Sequence, residues 1–220
     1  MKTLSAFEVL GPRMVGPSSS HTAGAARLAK VAGHIAGPQI TRVQFVLFGS
    51  FAHTYRGHGT DRALLAGIMG MEPDDPQLPN AYALAQSRGL SYSFVQSDAP
   101  SAHPNTVTME IDNAAGKHTS ITGISIGGGA IVLTQLNGID IYVTGEYPTL
   151  IVDHQDVPGV IGDITQALGR EQINIAFMRV FRQARGGQAY MVIETDQAIP
   201  QAIIGLLQNV RKEIGHVYLV

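Results

Sequence analysis

Between residues 22 and 36, TAGAARLAKVAGHIA, apolar side chains recur at Leu28, Val31, Ala32 and Ile35, the i, i+3, i+4, i+7 spacing of one helix face. Gly37-Pro38 closes that helix. ITRVQFVLFGS (40–50) carries too many apolar residues for a half-exposed strand and reads as a mostly buried one. Residues 61–70 predict a short helix with Leu64, Leu65 and Ile68 inward, and 80–88 another, stopped by Gly89. From residue 91 the period changes to that of strands. SYSFVQ, TVTMEID, HTSITGISI, AIVLTQL and IDIYVTG follow one another, with Asn137-Gly138 as a hairpin signal between the last two. Helices followed by antiparallel strands predict an α+β lobe.

The pattern restarts after GEYPT (145–149), which reads as a joint. TLIVDH predicts a strand, 158–170 a helix, INIAFMRVFRQ a strand, ARGG a turn, QAYMVIET a strand, 200–212 a helix and HVYLV a strand. That order, β-α-β-β-α-β, is the ferredoxin-like split motif. Pro158 is expected in the first helical turn, where its missing N–H costs nothing. The expected division is 1–146 and 149–220, an α+β unit followed by a ferredoxin-like unit.

Composition narrows the partners. At 45% apolar the chain is ordinary, but 15% charged residues is low against about 25% for soluble domains, which predicts a surface partly covered in an assembly. Net charge is −2 with no lysine or arginine run, so nothing points to nucleic acid or an anionic membrane. There is no cysteine, which excludes disulfides and thiolate-held metals or clusters on this chain. MKTLSAFEVLGPR lacks a secretory apolar core, and no apolar run approaches the roughly 20 residues of a membrane span; a cytoplasmic setting is expected.

Four stretches carry candidate chemistry. VGPSSSHTAG (15–24) places Ser18, Ser19, Ser20, His21 and Thr22 at a helix start, with Ser19 or Ser20 as the expected N-cap. Free N–H groups and hydroxyls there suit a carboxylate or phosphate, and His21 can hold or move a proton. No Walker lysine follows, and the stretch is not G-x-S-x-G. Arg56-Gly57-His58-Gly59-Thr60-Asp61 is a second strand-to-helix turn, where His58 and Asp61 form a candidate acid/base pair and Thr60 or Asp61 a plain cap. Ala102-His103-Pro104-Asn105-Thr106 offers an imidazole and an amide in a stiff loop. Ser125-Ile126-Gly127-Gly128-Gly129 interrupts a sheet with glycines, as a bulge or a bound group would require. Three histidines match a catalytic-zinc set in number, but no HExxH-type helix accompanies them. His34, His53, His118, His154 and His216 lack such neighbours and read as structural or surface residues.

GPSSSHTAGAAR, YRGHGTD, HPNT and SIGGG, in this order and spacing, resemble the β chain of bacterial two-subunit iron–sulfur L-serine dehydratase across essentially the whole chain. The second lobe resembles an ACT domain through Asp156-Val157-Pro158-Gly159-Val160. The resemblance implies a heteromer that converts L-serine to pyruvate and ammonia, with a [4Fe–4S] cluster held by cysteines of a separate α subunit and the chain inactive alone. It implies His58 or His21 as base toward the α-proton. Ser18, Ser19, Ser20, Thr22, Thr60, Asp61, His103 and Asn105 are implied around the substrate. Asp156, Pro158, Gly159 and Val160 would meet an ACT ligand, and the ACT lobe would also pair with a second copy. The first lobe also resembles the allosteric substrate-binding domain of some phosphoglycerate dehydrogenases. That implies the alternative of a non-catalytic regulatory subunit that binds serine or another amino acid as effector.

Overall fold

The structure, a computed structural model, describes residues 13–101 and 103–220. Residues 1–12, with most of MKTLSAFEVLGPR, and Ala102 of the third motif lie outside them. The chain divides into two compact units, Met1–Asn137 and Gly138–Val220. It is an α+β protein with two separate sheets.

The first unit opens with a π-helical turn, Ser19–Gly24, that runs straight into helix α1, Ala25–Ala36. Strand β1 (Ile40–Phe48), helix α2 (Gly49–Thr54), helix α3 (Thr60–Ile68) and helix α4 (Ala81–Ser87) follow. Strands β2 (Ser91–Ser97), β3 (Asn105–Asn113), β4 (His118–Gly127) and β5 (Ala130–Leu136) complete it. In space they run β2-β1-β3-β4-β5. Val43, Phe45 and Leu47 of β1, Val107, Met109 and Ile111 of β3, and Leu28, Ala32 and Ile35 of α1 are fully buried, so the alternating and helical periods meet in one core. Val31, on the same predicted stripe, is only half-buried.

The expectation of antiparallel strands needs one correction. β1 and β2 pair in parallel, Phe45 opposite Phe94, while β1–β3, β3–β4 and β4–β5 are antiparallel. The 42 residues between β1 and β2 hold three helices, which supplies the long crossover that a parallel pair requires. Helix α2 was not predicted; six residues, GSFAHT, carry too little periodicity to announce a helix.

Two glycines set the spacing of α1 on α3. A Cβ at Gly67 would stand 2.1 Å from the carbonyl oxygen of Ala26. A Cβ at Gly33 would stand 3.2 Å from that of Ile68. The helices therefore pack backbone to backbone.

After Asn137-Gly138, both at positive φ as a type I′ turn demands, the second unit begins with β6 (Ile139–Val143). Its four-stranded antiparallel sheet is β10-β7-β9-β8, built from β7 (Thr149–Gln155), β8 (Ile175–Arg182), β9 (Gln188–Thr195) and β10 (Ile214–Leu219). Helices α5 (Val160–Arg170) and α6 (Ala202–Gln208) complete the predicted order. Leu150, Val152, Met191 and Ile193 face Val160, Ile164, Leu168, Ile203 and Leu207 in its core. α5 starts two residues later than predicted. Gly159, at φ 94°, is its N-cap, and Pro158 lies outside the helix. No described helix is long and apolar enough to cross a membrane.

Candidate active site

The opening serines do not cap as predicted. Ser18, in extended conformation, is the N-cap, and its Oγ accepts from the His21 N–H at 3.2 Å. Ser19 and Ser20 are drawn into the π-helical turn, whose wider winding carries His21 off the register of α1. Close approaches hold the turn in place. A Cβ at Gly24 would lie 2.0 Å from Ser125 Oγ, and one at Gly16 would overlap Thr22. Ser125 is buried and donates to the Ser20 carbonyl at 2.9 Å, so the fourth motif closes on the first.

His21 is largely buried, and both ring nitrogens are occupied. Nδ1 lies 3.1 Å from Ser20 Oγ and 3.4 Å from Ser18 Oγ, and Nε2 lies 3.1 Å from Ser50 Oγ. Phe51 meets the ring edge-on at 5.2 Å, and the His58 ring stands 4.7 Å away. Desolvation, and then the charge His58 would carry, push the His21 pKa below its usual value. His58 differs: its Nδ1 is buried and has no partner among the described residues. Thr22, only 1% exposed, spends its hydroxyl on the His58 carbonyl at 3.3 Å. It anchors the second motif to the first.

A pH dependence follows. An unfolded His21 takes up a proton as the pH falls through about 6.5, whereas the folded one, its pKa lowered, does not. The unfolded state then binds more protons, so stability declines as the pH drops below that value. Denaturant midpoints at pH 7.5 and 5.5 should show this fall, and His21→Gln should make it smaller.

The remaining predicted residues divide. Asn105 sits at the mouth of β3 and donates to the Ser125 carbonyl at 3.3 Å, joining the third motif to the fourth. His103 bonds within its own loop, accepting at Nδ1 from the Asn105 N–H, and among the described residues no hydrogen bond brings it to His21 or His58. Asp61 is not paired with His58. Its carboxylate accepts from Tyr82 Oη at 2.6 Å and from the Arg62 N–H, so the acid/base pair suggested by the spacing is not formed. Desolvation, and then the bond to Asp61, raise the Tyr82 pKa. Thr60 is fully buried, its hydroxyl without a partner among the described residues. Sequence reasoning missed Ser50 and Phe51. Their only signal was the pair Gly49-Ser50 at the end of a buried strand. At Gly49, φ 53°, a Cβ would lie 2.7 Å from the Pro104 carbonyl oxygen, which packs the third motif against the end of β1.

In the second unit, Asp156 forms an ion pair with Arg182 and accepts from the Gly186 N–H at 3.1 Å. The Gly186 bond first and the guanidinium second lower its pKa. Pro158 offers its carbonyl to Arg211 at 3.3 Å, Gly159 begins α5, and the Val160 side chain is fully buried. The turn offers a ligand the backbone N–H groups of that helix start, beside Arg211, whose Nη1 stands 2.5 Å from the Cβ position of Gly159.

The chain is thus a two-unit protein, an α+β unit with a serine–histidine cluster and a ferredoxin-like unit with a glycine-capped turn. The serine dehydratase beta chain family matches residues 5–92, and the ACT domain family matches 148–212. The probable L-serine dehydratase beta chain of Bacillus subtilis (strain 168) is 41% identical over 209 residues, 95% of this chain and 94% of that protein. The L-serine dehydratase beta chain of Peptoniphilus asaccharolyticus is 39% identical over 213 residues, 96% of each. D-3-phosphoglycerate dehydrogenase of Bacillus subtilis is 33% identical over 152 residues, 68% of this chain and 28% of that enzyme. The chain belongs to the family of L-serine dehydratase β chains.

Proposed function

We propose that this chain is the β subunit of an iron–sulfur L-serine dehydratase and that its serine–histidine cluster binds serine and removes the α-proton. One observation carries the assignment of the base. Both nitrogens of His21 are held by serine hydroxyls, whereas the adjacent His58 has a ring nitrogen without a partner among the described residues. His58 is the base, and His21 is a neutral, fixed imidazole beside it. The α-proton of an amino acid is very weakly acidic, so its removal near neutral pH depends on stabilising the charge that develops. The Ser18–Ser20 turn supplies part of that stabilisation, since a helix start flanked by hydroxyls suits the substrate carboxylate. Thr22, Thr60 and Asp61 take positioning roles in place of direct contact, and Asn105 borders the pocket.

The chain has no cysteine, and no group of three histidine, aspartate or glutamate side chains among the described residues could hold a metal. The residues present do not fit a [4Fe–4S] cluster. The cluster belongs instead to the cysteines of a partner α subunit. The second unit is proposed as an amino-acid module that binds through the Gly159 and Val160 N–H groups and pairs with a second copy.

Anaerobic purification of the chain with its partner, iron analysis and a pyruvate assay with L-serine test this reading. Iron in a complex that makes pyruvate supports it. A chain that recovers no partner, or one that only alters another enzyme's response to serine, favours the effector role. Within the site, Ser50→Ala leaves a largely buried nitrogen of His21 without its hydroxyl. Leaving such a group unpaired costs about 1–3 kcal/mol, so kcat should fall about tenfold with KM little changed. Ser50→Thr should restore it in steady-state assays.

A further inference from the structure

The two helices that begin at the serine–histidine cluster end together at a second place. α1 starts beside the Ser19–Gly24 turn, and α3 starts beside His58. The last turns of both line a cavity of ≈ 360 Å³, about 18 Å along α1 from the cluster. That volume is within the range of small-molecule sites. Ile40, Ile68 and Leu90 give the cavity an apolar wall, Lys30, His34 and Arg88 give it N–H donors, and among the described residues no carboxylate lines it.

These donors are not equally engaged. Lys30 is paired with Glu72. Arg88 makes one hydrogen bond, from Nη1 to the Met69 carbonyl at 3.0 Å, and among the described residues enters no ion pair. A guanidinium has five N–H donors, so most of the fork remains available. His34 has no hydrogen bond among the described residues. A cation at a helix C-terminus is favoured by the helix dipole, and this accounts for an arginine at Met69. It accounts equally for His34 in the last turn of α1, but not for the apolar wall that these donors share.

We propose that this cavity is a binding site for a small aliphatic monocarboxylate, its carboxylate held by Arg88 and His34 and its chain lying on Ile40, Ile68 and Leu90. The planar fork of Arg88 matches a carboxylate in two parallel bonds. Burial first and the Lys30 charge second lower the His34 pKa against the smaller opposing effect of Glu72, which is itself paired with Lys30, so the ring donates as a neutral imidazole. The site is separate from the serine–histidine cluster and stands whether or not the cluster is catalytic.

Calorimetric titration of the full chain with butyrate, and with its neutral isostere butyramide, tests the assignment. Butyrate should bind saturably, with butyramide at least tenfold weaker. Arg88→Gln and His34→Gln should each weaken butyrate at least tenfold. The isostere comparison on the unaltered chain, together with His34→Gln, keeps the test decisive if Arg88→Gln does not fold. Equal binding of the two probes overturns the proposal, as does failure of butyrate to saturate. Butyrate affinity unchanged in both variants also overturns it, because the anion would then be docking elsewhere, for example at the Ser18–Ser20 turn.

Discussion

His58→Ala in the assembled enzyme should lower pyruvate formation about 10²–10⁴-fold, the usual range for loss of a general base. That corresponds to about 3–5 kcal/mol of transition-state stabilisation. Serine affinity should change little. The serine turn proposed to hold the carboxylate is fixed independently of His58, by Ser18 capping, by the Ser125–Ser20 bond and by the close approach at Gly24. kcat and binding measured separately read the two effects. If His58 serves an effector pocket instead, the variant keeps its basal turnover and loses only its response to serine. His21→Ala should behave differently, since it frees the Ser18, Ser20 and Ser50 hydroxyls at once and loosens the turn. It should raise KM as well as lower kcat.

Gly67→Ala should be the most destabilising single-methyl change in the first unit. The added carbon would stand 2.1 Å from the Ala26 carbonyl oxygen, a backbone atom that cannot swing aside as the end of a side chain can. Overpacking costs typically about 1–3 kcal/mol, and a backbone neighbour places this site at the upper end. Separating α1 from α3 would also spread the two helix starts that carry His21 and His58, so activity should fall along with the melting temperature. Gly162→Ala in α5 is the contrasting case. Nothing lies within 4 Å of its Cβ position, and an exposed helical glycine costs up to about 1 kcal/mol relative to alanine. That variant should melt at the same temperature or higher. Thermal denaturation of both, followed by circular dichroism, checks the pair.

Much of this was legible in the residues. The stripe Leu28, Ala32, Ile35 is a local period that became a buried face. Strand β1, expected to be mostly buried, instead buries only Val43, Phe45 and Leu47 in alternation, because its other face is not fully covered. The β-α-β-β-α-β order of the second unit is written in strand and helix periods that do not depend on distant contacts. The candidate loops were marked by serine, histidine and glycine at helix starts. Their internal assignments were less legible. Hydrogen-bonding capacity does not say which of three serines caps, and the π-helical turn decided for Ser18. Spacing placed Asp61 three residues after His58, but the carboxylate went to Tyr82, 21 residues further on.

The sequence by itself determined what local physics controls: the α+β class, the ferredoxin-like second unit and the absence of any thiolate ligand. It also determined which loops hold groups able to move protons or bind a carboxylate. Only the tertiary structure decided which of those groups meet. Ser50 reaches His21 from 29 residues away, Ser125 reaches Ser20 from 105, and Arg88 closes a cavity with the end of α1. Such pairings are set by how helices and strands pack. Close packing admits few arrangements, fixed here by glycines at Gly24, Gly49 and Gly67 where a single methyl group would not fit.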